Sequence, residues 1–250
     1  MSKSTPQSFI EVIDFQKSFD HKKVHDGVSF YVRKGECLGL IGGSGTGKSV
    51  LLRSLVGLEK PDRGQILIDG EDIVNKNERE LIDVRKKIAY AFQDGALFDS
   101  MTVYENLAYP LREHTHFSEK EIAQQIRDQL EEFGLDASAE KLFPASLSGG
   151  MQKRVGLARA MMMHPQVVLY DEPTAGLDPY NTKRIQESIL KMKAKGVTSI
   201  LVTHDMPTVY AVCDKVALLL NGRIGEEYTI DKLAKESTGP MFEFINGERA

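Results

Sequence analysis

Apolar positions along the chain follow two rhythms. In Phe9-Ile10-Glu11-Val12-Ile13-Asp14-Phe15 and Val28-Ser29-Phe30-Tyr31-Val32, short apolar stretches are broken by single polar residues and read as strands. Gly64-Gln65-Ile66-Leu67-Ile68 adds a third such run, closed by the turn signal Asp69-Gly70 before Glu71. These runs predict an antiparallel sheet. By contrast, Cys37-Leu38-Gly39-Leu40-Ile41, Val167-Val168-Leu169-Tyr170 and Thr198-Ser199-Ile200-Leu201-Val202 are almost continuously apolar. Strands of that kind are covered on both faces, so a parallel sheet flanked by helices is expected. Lys34-Gly35-Glu36 is the turn into the first of them, and Val216 to Leu220 followed by Asn221-Gly222 reads as a hairpin.

Helical spacing fills the intervals. Val50 to Val56 is one apolar helical run. Ser118 and Glu121 have capping-box spacing, Ile122, Ile126, Leu130 and Phe133 share one face, and Gly134 ends that helix. Asp178-Pro179 opens another that runs to Gly196, with Ile185, Ile189 and Met192 as its apolar stripe. The segment from about Gly95 to Leu147 is therefore expected to be a mainly helical subdomain within a single domain spanning residues 1–250. No internal repeat or low-complexity tract interrupts the pattern.

Composition adds limits. The 250 residues are 41% hydrophobic and 27% charged, as in an ordinary globular chain. No apolar run approaches a membrane span, and the polar start Met1-Ser2-Lys3-Ser4-Thr5-Pro6 lacks the core of a signal peptide. A position in the cytosol or on a cytosolic membrane face is expected. Cys37 and Cys213 sit in apolar segments and read as buried thiols. A net charge of −4 argues against nucleic acid as the main partner.

The chemistry centres on Gly42-Gly43-Ser44-Gly45-Thr46-Gly47-Lys48-Ser49, placed between a predicted strand and a predicted helix. Glycines at these spacings let the backbone N–H groups turn toward one anion, and the helix adds the positive end of its dipole. The ligand class is a di- or triphosphate, with Lys48 as the charge for its outer phosphates and Ser49 as a Mg²⁺ ligand. Asp171-Glu172 ends an apolar strand, at the sheet edge where α/β proteins bind ligands. Asp171 is suited to hold Mg²⁺ through water, and Glu172 to serve as base for an attacking water. Leu147-Ser148-Gly149-Gly150-Met151-Gln152 opens a helix carrying Val155, Leu157, Ala158 and Met161, which makes a second candidate anion site.

Together these residues resemble the ATP-binding cassette family over essentially the whole chain. Gly42 to Ser49 matches the Walker A loop, with Val50 next to it; Gln93 matches the Q-loop, Leu147 to Met151 the signature, and Val167 to Glu172 the Walker B strand. Ala175-Gly176-Leu177-Asp178 is similar to the D-loop, His204 to the switch histidine, and Phe19 to the aromatic that stacks on adenine. Met151 stands where Gln is more usual, and Gly176 where Ala is frequent. The resemblance implies an α/β fold, a P-loop NTPase core with a mainly parallel sheet, an N-terminal antiparallel β subdomain and a helical subdomain bearing the signature. It further implies ATP and Mg²⁺ as ligands, Gln93 touching Mg²⁺ and water, and His204 orienting Glu172. Ser148, Gly149, Gly150 and Asp178 would complete the site of a partner copy in a head-to-tail homodimer.

The stretch from Gly95-Ala96-Leu97-Phe98-Asp99-Ser100 to Pro110-Leu111-Arg112-Glu113-His114 looks like that of Mla-type phospholipid transporter ATPases. That resemblance implies a permease docking near Gly95–His114, an Mce-type lipid-binding subunit, no nucleic acid, and a position on the cytoplasmic face of the inner membrane. Phe242-Glu243-Phe244-Ile245-Asn246-Gly247-Glu248 resembles the last segment such ATPases share; the longer tail by which some relatives clasp the neighbouring ATPase and a small regulatory subunit is not carried over. Import of an amino acid or metal, and a soluble ATP-gated clamp, are the alternatives. A guanine-binding motif is approached by Asn75-Lys76-Asn77-Glu78, which reads as loop instead, and His114 with His116 lacks the companions of a metal site.

Overall fold

The computed structural model describes residues 8–20, 22–235 and 237–247. The polar start at Met1–Pro6 and Glu248 of the closing segment lie outside the described residues.

The expected antiparallel sheet contains β1 (Ser8–Phe19), β2 (Lys22–Arg33), β4 (Arg63–Ile68) and β5 (Glu71–Asp72), in the order β2-β1-β4-β5. Asp69 and Gly70 both have positive φ, 51° and 81°, as the mirror-image hairpin turn between β4 and β5 requires. β1 and β2 are longer than their apolar runs suggest, at 12 residues each. Register shifts between Val12 and Phe15, where Asp14 takes φ 48°, break the pattern and hide the continuation.

The second sheet has the order β10-β9-β3-β8-β7-β6, from β10 (Arg223–Thr229), β9 (Lys215–Leu220), β3 (Cys37–Ile41), β8 (Thr198–Val202), β7 (Val167–Asp171) and β6 (Ile88–Ala91). All its neighbours run parallel except the β9–β10 hairpin. Side chains alternate between two cores. Leu38, Leu40, Leu169, Ile200 and Val202 face the core shared with the antiparallel sheet, whereas Cys37, Ile41, Val168, Tyr170 and Leu201 face the helical core. Burial on both sides is the reason these strands read as unbroken apolar runs.

Nine α-helices occur among the described residues: α1 (Lys48–Leu55), α2 (Glu78–Lys87), α3 (Val103–His114), α4 (Glu119–Glu132), α5 (Gly149–Met161), α6 (Pro179–Ala194), α7 (Met206–Val212), α8 (Ile230–Leu233) and α9 (Pro240–Ile245). Two elements differ from expectation at their edges. Asn77, in the stretch expected to be loop, caps α2 in a reciprocal box with Glu80. α5 shares the helical core with α3 and α4 and accepts at Ala158 O a 3.1 Å hydrogen bond from Gln129 Nε2. Helical packing therefore continues past Leu147. Among the described residues no helix is long and apolar enough to cross a membrane.

Candidate functional site

The loop from Gly42 to Gly47 joins β3 to α1, and Gly42 and Gly47 are required by space as well as dihedral angle. A Cβ on Gly42, at φ 157°, would meet Leu219 O at 2.5 Å; one on Gly47, at φ 95°, would meet Val24 and the ring of His25 within 2.7 Å. Thr46 Oγ1 donates to Gly43 O across the loop at 2.9 Å. Gly47 offers α1 no side-chain cap, which leaves the first-turn N–H groups to other acceptors. Lys48 Nζ donates to Gly42 O and Gly43 O, each at 2.8 Å. Burial lowers the pKa of Lys48, and the nearby carboxylates of Glu172 and Asp171 oppose that shift.

A cavity of about 730 Å³ opens on this loop. Its walls include the expected residues Phe19, Gly42, Gly43, Ser44, Gly45, Gly47, Lys48, Ser49, Val50, Gln93, Glu172 and His204. Asp171 stands behind them, accepting hydrogen bonds from Ser49 Oγ at 2.9 Å and from the Tyr90 hydroxyl at 2.8 Å. Burial, reinforced by the adjacent Asp171, pushes the Tyr90 phenol far above its ordinary pKa, so it remains a donor.

Glu172 follows the last residue of β7 and takes φ 51°, an uncommon conformation for a residue with a Cβ. Its own N–H, bonded to Val202 O at 2.9 Å, holds it there. Oε1 lies 3.0 Å from His204 Nδ1, while Oε2 is buried and has no hydrogen-bond partner among the described residues. An unmatched carboxylate oxygen facing a phosphate loop is what a water-activating base presents. His204 itself is largely exposed, at 71% of its side chain.

The signature residues lie apart from these walls. Ser148 caps α5, its Oγ accepting from Met151 N at 3.3 Å. A Cβ on Gly150 would lie 2.4 Å from Asn181 Oδ1, and Asn181 in turn donates to both oxygens of Asp178 at 2.9 and 2.6 Å. Asn181 thus joins Asp178 to Gly150, which follows Ser148 and Gly149 in the first turn of α5, apart from the cavity walls. Lys153 ties α5 to the Glu172 loop by donating to Ala175 O.

Sequence reasoning missed Tyr90, Asn181 and three lining residues, Val24, Val202 and Phe244. Tyr90 resembles any aromatic strand residue, and Val24 and Val202 any strand valine. Phe244 lies far along the chain from every motif. Only the fold brings them to the cavity.

A second cavity, of about 390 Å³, is lined by residues that include Ile82, Arg85, Lys86, Phe98, Tyr109 and Arg159, together with Pro110 and His114. Phe98 and Tyr109 meet edge to face at 5.3 Å, and Arg159 lies over Phe98 at 5.2 Å. Asn106, fully buried, fixes the loop here: its Oδ1 accepts from Phe98 N at 2.9 Å and its Nδ2 donates to Met101 O at 3.1 Å. Cys37 and Cys213 are both buried, their sulfurs 3.8 Å apart.

Comparison with known proteins agrees with this geometry. The model of the ABC transporter family matches residues 25–175. The chain is 42% identical over 241 residues to the probable ribonucleotide transport ATP-binding protein Mkl of Mycobacterium leprae, covering 96% of this chain and 69% of that protein. It is 36% identical over 243 residues to the intermembrane phospholipid transport system ATP-binding protein MlaF of Haemophilus influenzae, covering 97% and 92%. Among solved structures, the ATP-binding cassette MJ0796, a dimer in a post-hydrolysis state bound to ADP and Pi, superposes with a TM-score of 0.83 at 28% identity, over 88% of this chain and 98% of that one. This chain accordingly belongs to the ABC transporter family, as an ATPase subunit of a transporter.

Proposed function

We propose that this subunit drives movement of phospholipid between membranes of the cell envelope. Similarity to MlaF along nearly the full length of both chains carries the lipid reading. The apolar cavity beside Phe98 and Tyr109 supports docking of a permease in the Gly95–His114 region, because an aromatic groove with Arg85, Lys86 and Arg159 among its lining suits an amphipathic helix of a membrane subunit. An Mce-type lipid-binding subunit would complete the assembly. The subunit would then sit peripherally on the cytoplasmic face of the inner membrane.

ATP enters the cavity with its base against Phe19 and its phosphates in the loop Gly42–Ser49. The N–H groups of the loop and of α1 bind the phosphate oxygens, and Lys48 turns from the loop carbonyls to the outer phosphates. Ser49, Gln93 and Asp171 fit a magnesium ion: their donors are hard oxygens, and Ser49 and Asp171 already lie in contact at 2.9 Å. When bound, the ion would neutralise charge developing on the phosphates. Glu172 takes the proton of the attacking water at Oε2, and His204 holds the same carboxylate through Oε1. Two copies clasp the nucleotide, each giving Ser148, Gly149, Gly150 and Asp178 to the phosphates bound by the other.

The cassette itself does not touch cargo, so the test must read cargo. Purified with its permease, the ATPase should be stimulated by phospholipid vesicles and should deliver labelled phospholipid to acceptor vesicles. Stimulation by a ribonucleotide, amino acid or metal ion, with no lipid transfer, would replace this reading.

A further inference from the structure

Tyr90 lies on β6 opposite Leu169 of β7 in the parallel ladder. Side chains two apart share a face of the sheet, so Asp171 points to the same side as Tyr90. The phenol donates to Asp171 Oδ2 at 2.8 Å, while Ser49 donates to Oδ1 at 2.9 Å. Asp171 is thus tethered at both oxygens, from α1 on one side and β6 on the other. The Tyr90 ring stacks on Phe92 with centroids 4.2 Å apart and planes 29° apart. Phe92 immediately precedes Gln93, which lines the nucleotide cavity.

We propose that Tyr90 is a positioning residue for the divalent-cation site, fixing Asp171 through Oδ2 and setting the start of the Gln93 loop through its stack on Phe92. The proposal deepens the magnesium site described under the proposed function and rests on it. The terminal torsion of an aspartate is soft, and one tether leaves the carboxylate free to rotate. Ser49 is itself a candidate cation ligand, whereas Tyr90 approaches the other oxygen and does not compete for the ion. Partners of this outer kind commonly change metal affinity by roughly 10- to 100-fold. Asp171, at the end of β7, and Gln93, in the loop after β6, would thereby be aligned by one aromatic pair.

Tyr90→Phe keeps the ring and removes only the hydroxyl. With a fluorescent ATP analogue, the variant should need roughly 10-fold more Mg²⁺ for half-maximal binding. Its affinity in the presence of a chelator should equal that of the parent protein. An unchanged Mg²⁺ midpoint overturns the proposal, and so does an equal loss with and without Mg²⁺, which would mark a general structural defect. Should the variant fail to fold, fluorotyrosine placed at position 90 gives a second readout: its fluorine resonance should shift when Mg²⁺ joins bound ATP, and a stationary resonance overturns the proposal. A parent protein whose ATP binding ignores Mg²⁺ would instead remove the magnesium site beneath it, and the proposal with it.

Discussion

His204 and Glu172 are bound to each other: Nδ1 of the imidazole lies 3.0 Å from carboxylate Oε1, across 32 residues of sequence. An ionised carboxylate only accepts, so this contact is a hydrogen bond when the imidazole carries its proton on Nδ1. The second oxygen of Glu172 is buried, has no partner among the described residues, and is the one proposed to take the proton of water. Glu172→Gln keeps the shape and removes the base. Phosphate release should fall by roughly 10²- to 10⁴-fold, with ATP binding retained. Normal turnover in a phosphate-release assay would exclude Glu172 as base.

Lys48 spends its charge on two loop carbonyls and is partly desolvated. Transfer of its ammonium to a phosphate is therefore favourable. Removing a charged hydrogen bond of this kind costs about 1.5–3 kcal/mol, so Lys48→Ala should weaken ATP binding by roughly 10- to 100-fold in calorimetry. An unchanged affinity would contradict the role given to Lys48.

His25 gives a pH dependence. It is fully buried beneath Gly47 and edge-on to Phe15 at 5.1 Å, and neither ring nitrogen has a well-formed hydrogen bond among the described residues. Burial lowers its pKa from 6.5 to about 4, against a weaker opposing interaction with the Gly47 backbone. The unfolded chain therefore binds the proton first as pH falls, so stability present above 6.5 is lost between 6.5 and about 4. A shift of that size corresponds to at most about 3 kcal/mol. Thermal unfolding should show a lower midpoint across that window, and His25→Leu should flatten the decline. An identical pH profile in the variant would reassign the decline to other groups.

Gly150 leaves no room for a side chain beneath Asn181. Gly150→Ala should push Asn181 off Asp178 and lower ATP turnover, while nucleotide binding by the single chain is preserved. Loss of both together would place Gly150 in the folding core and not in an interface constellation.

The parts legible in sequence are those where residue type is dictated at fixed spacing. Gly42 and Gly47 have no substitute, because Leu219 O and His25 occupy the space a Cβ would need. The apolar runs of β3, β7 and β8 announce a sheet covered twice, and Asn221-Gly222 announces its hairpin with φ 50° and 73°. What was hidden follows from tertiary packing. β1 and β2 run through bulges that interrupt the pattern, so their outer halves look like loop. The charged run of α2 reads as helical, but its start lay within the stretch read as loop, because the cap is Asn77. Tyr90 and Phe244 carry no spacing signal, since strand pairing and the fold of the C-terminal helix put them at the site.

In the proposed dimer, Ser148 and its neighbours complete the phosphate site of a second copy. Sedimentation of Glu172→Gln with ATP and Mg²⁺ reads this directly. A two-chain species should form with ATP, dissociate with ADP and be abolished by adding Ser148→Arg, although each single chain still binds ATP. A one-chain species at saturating ATP, or a dimer indifferent to Ser148→Arg, would contradict it.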